Sequence, residues 1–326
     1  MALYFKTCDF FLKIRKECKG LGKYIIRRLI SMVVTLWFVI TITFFLMHSI
    51  PGGPFSREKA LPEKVLEALN EKYHLNDPLW KQYVDYLQGV VVLDFGPSFA
   101  RPGIFVFDKI KEGFPISAKI GGVASLLVIL FGVPAGIISA LYQNKVPDYI
   151  VTILATLGVA VPNFVVGTIF IYVFAEKLGW VPAYGLGEPT AYIGPCLALA
   201  GFSLSFVARL SRSSLLEVMQ QDYIRTARAK GLSEFRVIFK HALKNSLIPV
   251  ITYMGPTIAA ILTGSFVIEK IFAIPGMGKL FVESVGNRDY TMIMGTTIFY
   301  AAFAIVMIFI VDIAYGIIDP RIKLGD

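Results

Sequence analysis

The 326-residue chain contains little of what a metalloprotein or a disulfide-rich protein needs. Its three cysteines are scattered and form no Cys-x-x-Cys pair, so they cannot build a disulfide framework. Its three histidines are isolated, with no second ligand at helical spacing, so we expect no metal or other cofactor in this chain. These residues are Cys8, Cys18, Cys196, His48, His74 and His241.

Charged residues are missing from six long apolar blocks. The chain is 56% hydrophobic, whereas soluble domains are roughly 45–50% apolar. Each block is close to the roughly 20 residues that a transmembrane helix requires. The sequence therefore predicts an all-α integral membrane protein with six transmembrane helices. The blocks are residues 29–47, 120–142, 149–175, 191–208, 246–268 and 291–311.

Lysine and arginine are distributed unevenly among the segments between these blocks. With both termini inside (N-in, C-in), the inner segments carry a net charge of +10 and the outer segments −1. An excess of Lys and Arg marks the cytoplasmic side of a membrane protein. The overall charge of +9 is then a property of the inner face, which excludes the nucleic-acid binding that such a charge would otherwise suggest.

Composition divides the chain into five parts. Residues 1–22 are a basic extension, either a short interfacial amphipathic helix or a terminus that fixes orientation. Residues 23–50 are the first transmembrane helix, and residues 51–113 are a small extracytoplasmic domain between helices 1 and 2. Residues 114–318 are the transmembrane core, and residues 319–326 are a cytoplasmic tail.

A cationic loop at residues 210–246 separates the fourth and fifth apolar blocks. One helix is expected over residues 212–230, because Gly231 follows it as a helix-ending glycine. A second helix is expected after Ser233, whose side chain would act as its N-cap. This second helix has an apolar stripe at helical spacing. The stripe comprises Phe235, Ile238, Phe239, Ala242 and Leu243.

The junction between these two helices combines small residues with flanking charges. Such a segment suits insertion into a groove of a partner protein, and the alternative is a solvated basic loop that only enforces orientation. The residues expected to contact a partner are Asp222, Tyr223, Arg225, Thr226, Ala227, Arg228, Ala229, Lys230, Gly231, Leu232 and Ser233.

The sequence has no nucleotide-binding motif of its own. No Gly-x-x-x-x-Gly-Lys-[Ser/Thr] occurs, and its nearest approach, residues 276–280, lacks the first glycine and the hydroxyl residue. No pair of ionisable residues suggests a membrane enzyme. No internal repeat suggests a stand-alone secondary transporter or channel.

Polar residues within the apolar blocks are sparse. They could line a low-affinity translocation path or form hydrogen bonds between helices, and both alternatives stay open. The candidates for the path are Ser125, Asn163, Thr168, Thr257, Thr263 and Ser265.

The cationic loop resembles the cytoplasmic "EAA" region of membrane subunits in ATP-binding-cassette (ABC) importers. Residues 223–232 and 241–245 resemble the dipeptide/oligopeptide/nickel permease family. The general Glu-Ala-Ala triplet is replaced by Arg225-Thr226-Ala227, and a later Leu-Pro pair by Leu243-Lys244, as in the peptide branch. The long first outer loop is similar to that of the B-type permease subunit. Further matches are Tyr24-Ile25-Ile26-Arg27-Arg28-Leu29, Pro51-Gly52-Gly53-Pro54, Leu93-Asp94-Phe95-Gly96-Pro97, Ile274-Pro275-Gly276-Met277-Gly278 and Asp319-Pro320-Arg321.

The resemblance implies a type I ABC importer fold and a transport subunit without catalysis of its own. It implies a C-type permease partner, two cytoplasmic ATPases that bind ATP and Mg, and an extracytoplasmic binding protein, assembled in a prokaryotic cell membrane. A coupling helix in the cytoplasmic loop would dock in a cleft of an ATPase. The implied substrates are di- or oligopeptides, with nickel complexes, glutathione or sugars as the alternatives.

Overall fold

The structure, a computed structural model, describes residues 2–51, 53, 55 and 63–318, and within them the side chains of residues 25–313. These residues are helical, apart from turns and a single bridge between Pro97 and Phe105. The α-helices are α1 (Ala2–His48), α2 (Glu63–Lys72), α3 (Leu79–Val91), α4 (Val106–Leu127), α5 (Val133–Leu141), α6 (Val146–Ala160), α7 (Asn163–Phe170), α8 (Ile193–Met219), α9 (Asp222–Ala229), α10 (Glu234–Arg236), α11 (Leu243–Ser246), α12 (Ile248–Leu262), α13 (Phe266–Ile271), α14 (Met277–Gly286) and α15 (Tyr290–Ile318). Three π-helical stretches cover Val128–Gly132, Ile171–Lys177 and Val237–Ala242, and a 3₁₀ turn covers Pro189–Tyr192.

Among the residues that the structure describes, five helical stretches are long and apolar enough to cross a membrane, and a bent pair brings the number to six if it forms one span. The predicted all-helical membrane fold is therefore confirmed, whereas the count of six depends on that pair. The five stretches are Ile25–His48, Val106–Leu141, Pro189–Met219, Ile248–Ile271 and Tyr290–Ile313.

The third apolar block forms two helices rather than one. Val146–Ala160 and Asn163–Lys177 meet at an angle of 103°. The break falls at Pro162, which has no N–H to donate and disfavours a helical conformation in the residue before it. Val161 is accordingly extended, with φ −88° and ψ 122°. Hydropathy alone does not reveal this bend, because the residues on both sides of it are apolar.

Two helices extend across the predicted divisions of the chain, which stay predictions. Helix α1 continues without a break through residue 23, the predicted start of the first transmembrane helix. Helix α4 begins at Val106, ahead of the predicted core boundary at residue 114. Its first turns are held by burial of Val106 and Ile110 against the outer segment, so the helix extends beyond the apolar block itself.

The membrane core is built around α8. Helices α4, α8 and α12 share one apolar cluster, which includes Val128, Cys196 and Met254. Helix α5 approaches α8 most closely at Gly136, where an added Cβ would lie 2.6 Å from the Cβ of Ser211. A residue without a side chain is needed there, because any larger residue would push the two helices apart.

Asp289, which is buried, joins the segment between α1 and α4 to the start of α15. Its carboxylate accepts hydrogen bonds from the Ser98 hydroxyl and from the Phe99 N–H at 3.1 Å. It also accepts one from the Met292 N–H at 3.4 Å, in the first turn of α15. The segment before α4 and the last transmembrane helix therefore share one anchor.

Candidate functional site

The cationic loop at residues 210–246 is divided differently from the prediction. Helix α8 continues as one helix from its apolar span to Met219, so the helix expected over residues 212–230 is wrong. Gln220 and Gln221 separate α8 from α9, and Gln221 is extended, with ψ 148°. This break lets the chain fold back, so that the apolar face of α9 can pack on the end of α8.

Helix α9 packs on the bundle through one narrow apolar face. Ile224 and Ala227 are buried in a cluster with Ala140 of α5, Leu215 of α8 and Val237. The methyl group of Ala227 therefore faces inward, unlike most of the residues expected to meet a partner. A force applied to α9 would reach the ends of α5 and α8 through this apolar contact.

The opposite face of α9 and the turn after it are exposed and carry a net positive charge. Exposed side chains alternate between small and charged, as expected for a surface that another chain approaches closely. Arg225 lies 3.5 Å from Asp222, and Arg228 forms a bidentate pair with Glu234 at 2.8 and 3.2 Å. Such exposed pairs contribute little to stability and leave both guanidinium groups accessible. The exposed residues are Asp222, Tyr223, Arg225, Thr226, Arg228, Ala229, Lys230, Gly231 and Ser233, with Leu232 half-buried.

Gly231 ends α9, as the sequence predicts. Its φ is +75°, in the left-handed region that favours glycine. The Gly231 N–H donates to the Arg228 carbonyl at 2.9 Å and the Leu232 N–H donates to the Ala227 carbonyl at 3.4 Å. This pair of bonds is the Schellman motif, which satisfies the last carbonyl groups of the helix.

Ser233 occupies the predicted N-cap position but does not cap with its side chain. Its backbone is extended, with φ −64° and ψ 146°, and its hydroxyl makes no capping hydrogen bond. The Ser233 carbonyl accepts from the Val237 N–H at 2.9 Å. The predicted helix start is therefore confirmed, and the predicted side-chain cap is wrong.

The apolar stripe predicted after Ser233 faces the bundle only in part. Phe235 and Phe239 are 70% and 53% exposed, and their rings stack at 4.4 Å. Ala242 of the stripe is buried, together with Val237, which was not part of the predicted stripe. Residues 237–242 are π-helical, and a π-turn brings residues five apart onto one face. The stripe was derived from α-helical spacing, which this segment does not keep.

Two further contacts hold the loop together, and neither was predicted from the sequence. The Asn245 side-chain amide donates to the Tyr223 hydroxyl at 2.8 Å, which joins α11 to α9. At the base of the loop, Arg212 forms a bidentate ion pair with Asp148. The sequence signal for this ion pair is Asp148 itself, an acidic residue directly after Pro147 at a helix start. Spacing along the chain could not connect it to an arginine 64 residues away.

The six residues predicted for the translocation path are not brought together by a common contact. Thr168, Thr257 and Thr263 donate to carbonyl groups of their own helices, at 2.9, 2.7 and 2.7 Å. Ser265 accepts from the Ile268 N–H at 3.4 Å at the start of α13. Asn163 opens α7 just after the bend, and the buried Ser125 hydroxyl has no partner. Their role in a path stays a prediction.

No group of three His, Cys, Asp or Glu among the side chains that the structure describes could hold a metal ion. The ionisable groups at the ends of the apolar blocks are engaged in other ways. Asp312 pairs with Arg28, and Glu269 accepts a hydrogen bond from Ser117. The geometry at α9 therefore consists of an exposed charged face on one side and a buried apolar face on the other.

Comparison with known proteins identifies the family. Residues 132–324 match the family described as "Binding-protein-dependent transport system inner membrane component". Residues 21–100 match the corresponding N-terminal family. The chain belongs to this family. It is therefore a membrane component of a binding-protein-dependent transport system, and the resemblance predicted from the sequence is confirmed.

Curated relatives match over almost their whole length. The dipeptide transport system permease protein DppB of Bacillus subtilis is 50% identical, over 93% of this chain and 99% of the relative. The oligopeptide transport system permease protein OppB of Salmonella typhimurium is 46% identical, over 92% and 99%. DppB of Lactococcus lactis is 42% identical, over 93% and 99%.

Solved structures support the fold at much lower sequence identity. A chain of the inward-facing MetNI methionine ABC transporter matches with a TM-score of 0.52 and 16% identity, over 65% of this chain and 96% of that one. A chain of an amino acid ABC transporter matches with a TM-score of 0.50 and 16% identity, over 66% and 94%. The membrane core therefore shares the fold of ABC importer permeases.

Proposed function

We propose that this chain is the B-type transmembrane subunit of an ATP-driven importer of di- or oligopeptides and forms half of its translocation path. The relatives that support this substrate class are named as permeases of dipeptide and oligopeptide systems. Their similarity extends over 99% of their length, so it includes the outer segment as well as the membrane core.

The proposed complex contains four core subunits in a prokaryotic inner membrane. This chain pairs with a C-type permease, and two cytoplasmic ATPases bind ATP and Mg. A binding protein delivers the substrate from the extracytoplasmic side. In this arrangement the chain has a type I importer topology, with six spans and both termini inside, and the bent pair α6–α7 forms one crossing.

The exposed face of α9 is the observation that carries the proposal. This face is cationic and solvent-exposed, whereas its other face is packed on the ends of α5 and α8. A partner that binds the exposed face therefore acts directly on the membrane helices α5 and α8. An acidic cleft in an ATPase complements this surface, because Arg225, Arg228 and Lys230 outnumber the single acid, Asp222.

Co-purification tests the proposal directly. The tagged chain, expressed with its C-type partner and both ATPases, is expected to co-purify with them and to support ATP-dependent uptake when the binding protein is added. The purified chain alone is expected neither to hydrolyse ATP nor to transport. Transport by the lone chain in liposomes would contradict the ATP-driven function.

Competition identifies the substrate class. Uptake of a radiolabelled tripeptide by the complete complex is expected to fall when unlabelled peptides are added. Nickel complexes, glutathione and sugars are expected to leave it unchanged. A complex that takes up one of these compounds and no peptide would contradict the peptide proposal while leaving the ATP-driven mechanism intact.

A further inference from the structure

Asp148, at the start of α6, is a buried carboxylate on which several elements converge. Its side chain is 3% exposed. Arg212 donates from Nε to Oδ1 at 2.6 Å and from Nη2 to Oδ2 at 2.8 Å. This two-point pairing fixes the orientation of both groups, unlike a single flexible contact.

The Thr152 hydroxyl of α6 itself also donates to Oδ1 at 3.4 Å, and two further donors come from outside α6. The Ser139 hydroxyl donates to Oδ1 at 2.5 Å, and the Asn144 N–H donates to Oδ2 at 2.9 Å. Ser139 belongs to α5, Asn144 to the turn between α5 and α6, and Arg212 to α8. We call Asp148 and these last three residues the inner clamp. One carboxylate thus ties together the ends of three helices.

The inner clamp lies next to the apolar cluster on which α9 packs. Ala140, which contacts the apolar cluster beneath α9, directly follows Ser139. Leu215, in the same cluster, lies one helical turn after Arg212 on α8. Ile224 of α9 is fully buried in that cluster. The helices that support α9 are therefore the helices that the clamp joins.

We propose that the inner clamp makes α5, α6 and α8 respond as one unit when a cytoplasmic partner displaces α9. Asp148 and Arg212 are then positioning residues for coupling, and neither contacts substrate or nucleotide. Without the clamp, α6 would still pack on α8 at Gly158 and Ser205, but its first turn would no longer be fixed to α5 and α8. The proposal rests on the proposed function, because it requires a partner that acts on α9.

If the Asp148–Arg212 pair only stabilised the fold, its single and double variants would differ from each other. Removing one member of a buried ion pair leaves an unpaired charge and destabilises the protein, whereas replacing both members by apolar residues is often tolerated. Asp148→Asn and Arg212→Gln are therefore compared with the double variant Asp148→Leu/Arg212→Met, which leaves no unpaired charge. Asp312→Asn is the control, because Asp312 pairs with Arg28 between α1 and α15, and neither helix contributes a described residue to the apolar cluster under α9.

The experiment uses the complete complex in liposomes and measures ATP hydrolysis with and without the binding protein outside. The clamp variants are expected to assemble and to keep the unstimulated rate, while the stimulation by binding protein falls about tenfold, within the range of typical coupling energies. The double variant is expected to lose stimulation in the same way. Asp312→Asn is expected to retain it.

Three results would overturn the proposal. Full stimulation in assembled clamp variants would show that coupling does not use the clamp. Restored stimulation in the double variant would assign the pair to stability, as would failure of all three clamp variants to assemble. If the unmutated chain itself binds no ATPase, both the proposed function and this inference fail. That result would be seen with the unmutated complex, before any variant is made.

Discussion

Ser117 of α4 donates a hydrogen bond to Glu269 of α13 at 2.7 Å, and both residues are buried. The same carboxylate accepts from the Gly278 and Lys279 N–H groups at 2.8 and 3.1 Å, at the start of α14. A negative charge is favourable there, because the first N–H groups of a helix have no partner within the helix. Glu269 therefore joins three helices at the end of the bundle opposite α9.

We predict that Glu269→Gln destabilises the protein by about 2 kcal/mol, because hydrogen bonds to a charged group are lost and the new amide faces N–H donors. The measurement is the thermal unfolding temperature of the purified complex in detergent. Glu283→Gln is the matched control, since Glu283 forms an exposed pair with Arg101 that contributes little. Equal unfolding temperatures for the two variants would contradict the role assigned to Glu269.

We predict that Gly231→Val weakens the association with the ATPases and reduces transport more than Gly231→Asn. An added Cβ would meet nothing within 4 Å, so the cost is backbone strain, about 1 kcal/mol for a residue held at positive φ, and asparagine tolerates that region better than valine. Co-purification and uptake provide the measurement. Gly187→Val is the control, because Gly187 also faces open space and has no positive φ. Indistinguishable association and uptake in the two Gly231 variants would count against this reasoning.

We predict that a cysteine at position 235 reacts with a membrane-impermeant maleimide applied to inside-out vesicles, whereas a cysteine at position 237 does not. Phe235 is exposed and Val237 is fully buried two residues away. The background replaces Cys8 and Cys18 by serine and keeps the buried Cys196. Labelling from the opposite face of the membrane would show that the proposed orientation is inverted.

We predict that the bent pair α6–α7 completes one crossing, so that cysteines at Gln143 and Glu188 are labelled from opposite sides of the membrane. Both residues are exposed and flank the pair. Labelling of both positions from the cytoplasmic side would make the pair a re-entrant loop. The chain would then have five spans.

Features set by local chemistry could be predicted from the sequence. The apolar blocks, the helix-ending Gly231 and the polar segment around α9 needed only hydropathy and the conformational freedom of glycine. The pairing of Ser117 with Glu269 could not be predicted, because 152 residues separate the two in the chain. The outward position of Phe235 could not be predicted either, because a π-helical turn changes which residues share a face.

The anchor at Asp289 has a consequence for how the outer segment can change in length. Its carboxylate is buried and takes donors from Ser98 and Phe99, so deleting that part of the loop would remove two of the hydrogen bonds of a buried charge beside α15. Burial without those partners is costly. Shortening or transplanting the loop therefore requires that residues 98–99 keep their positions relative to Asp289, or that Asp289 is replaced at the same time. The loop and α15 must therefore be exchanged together.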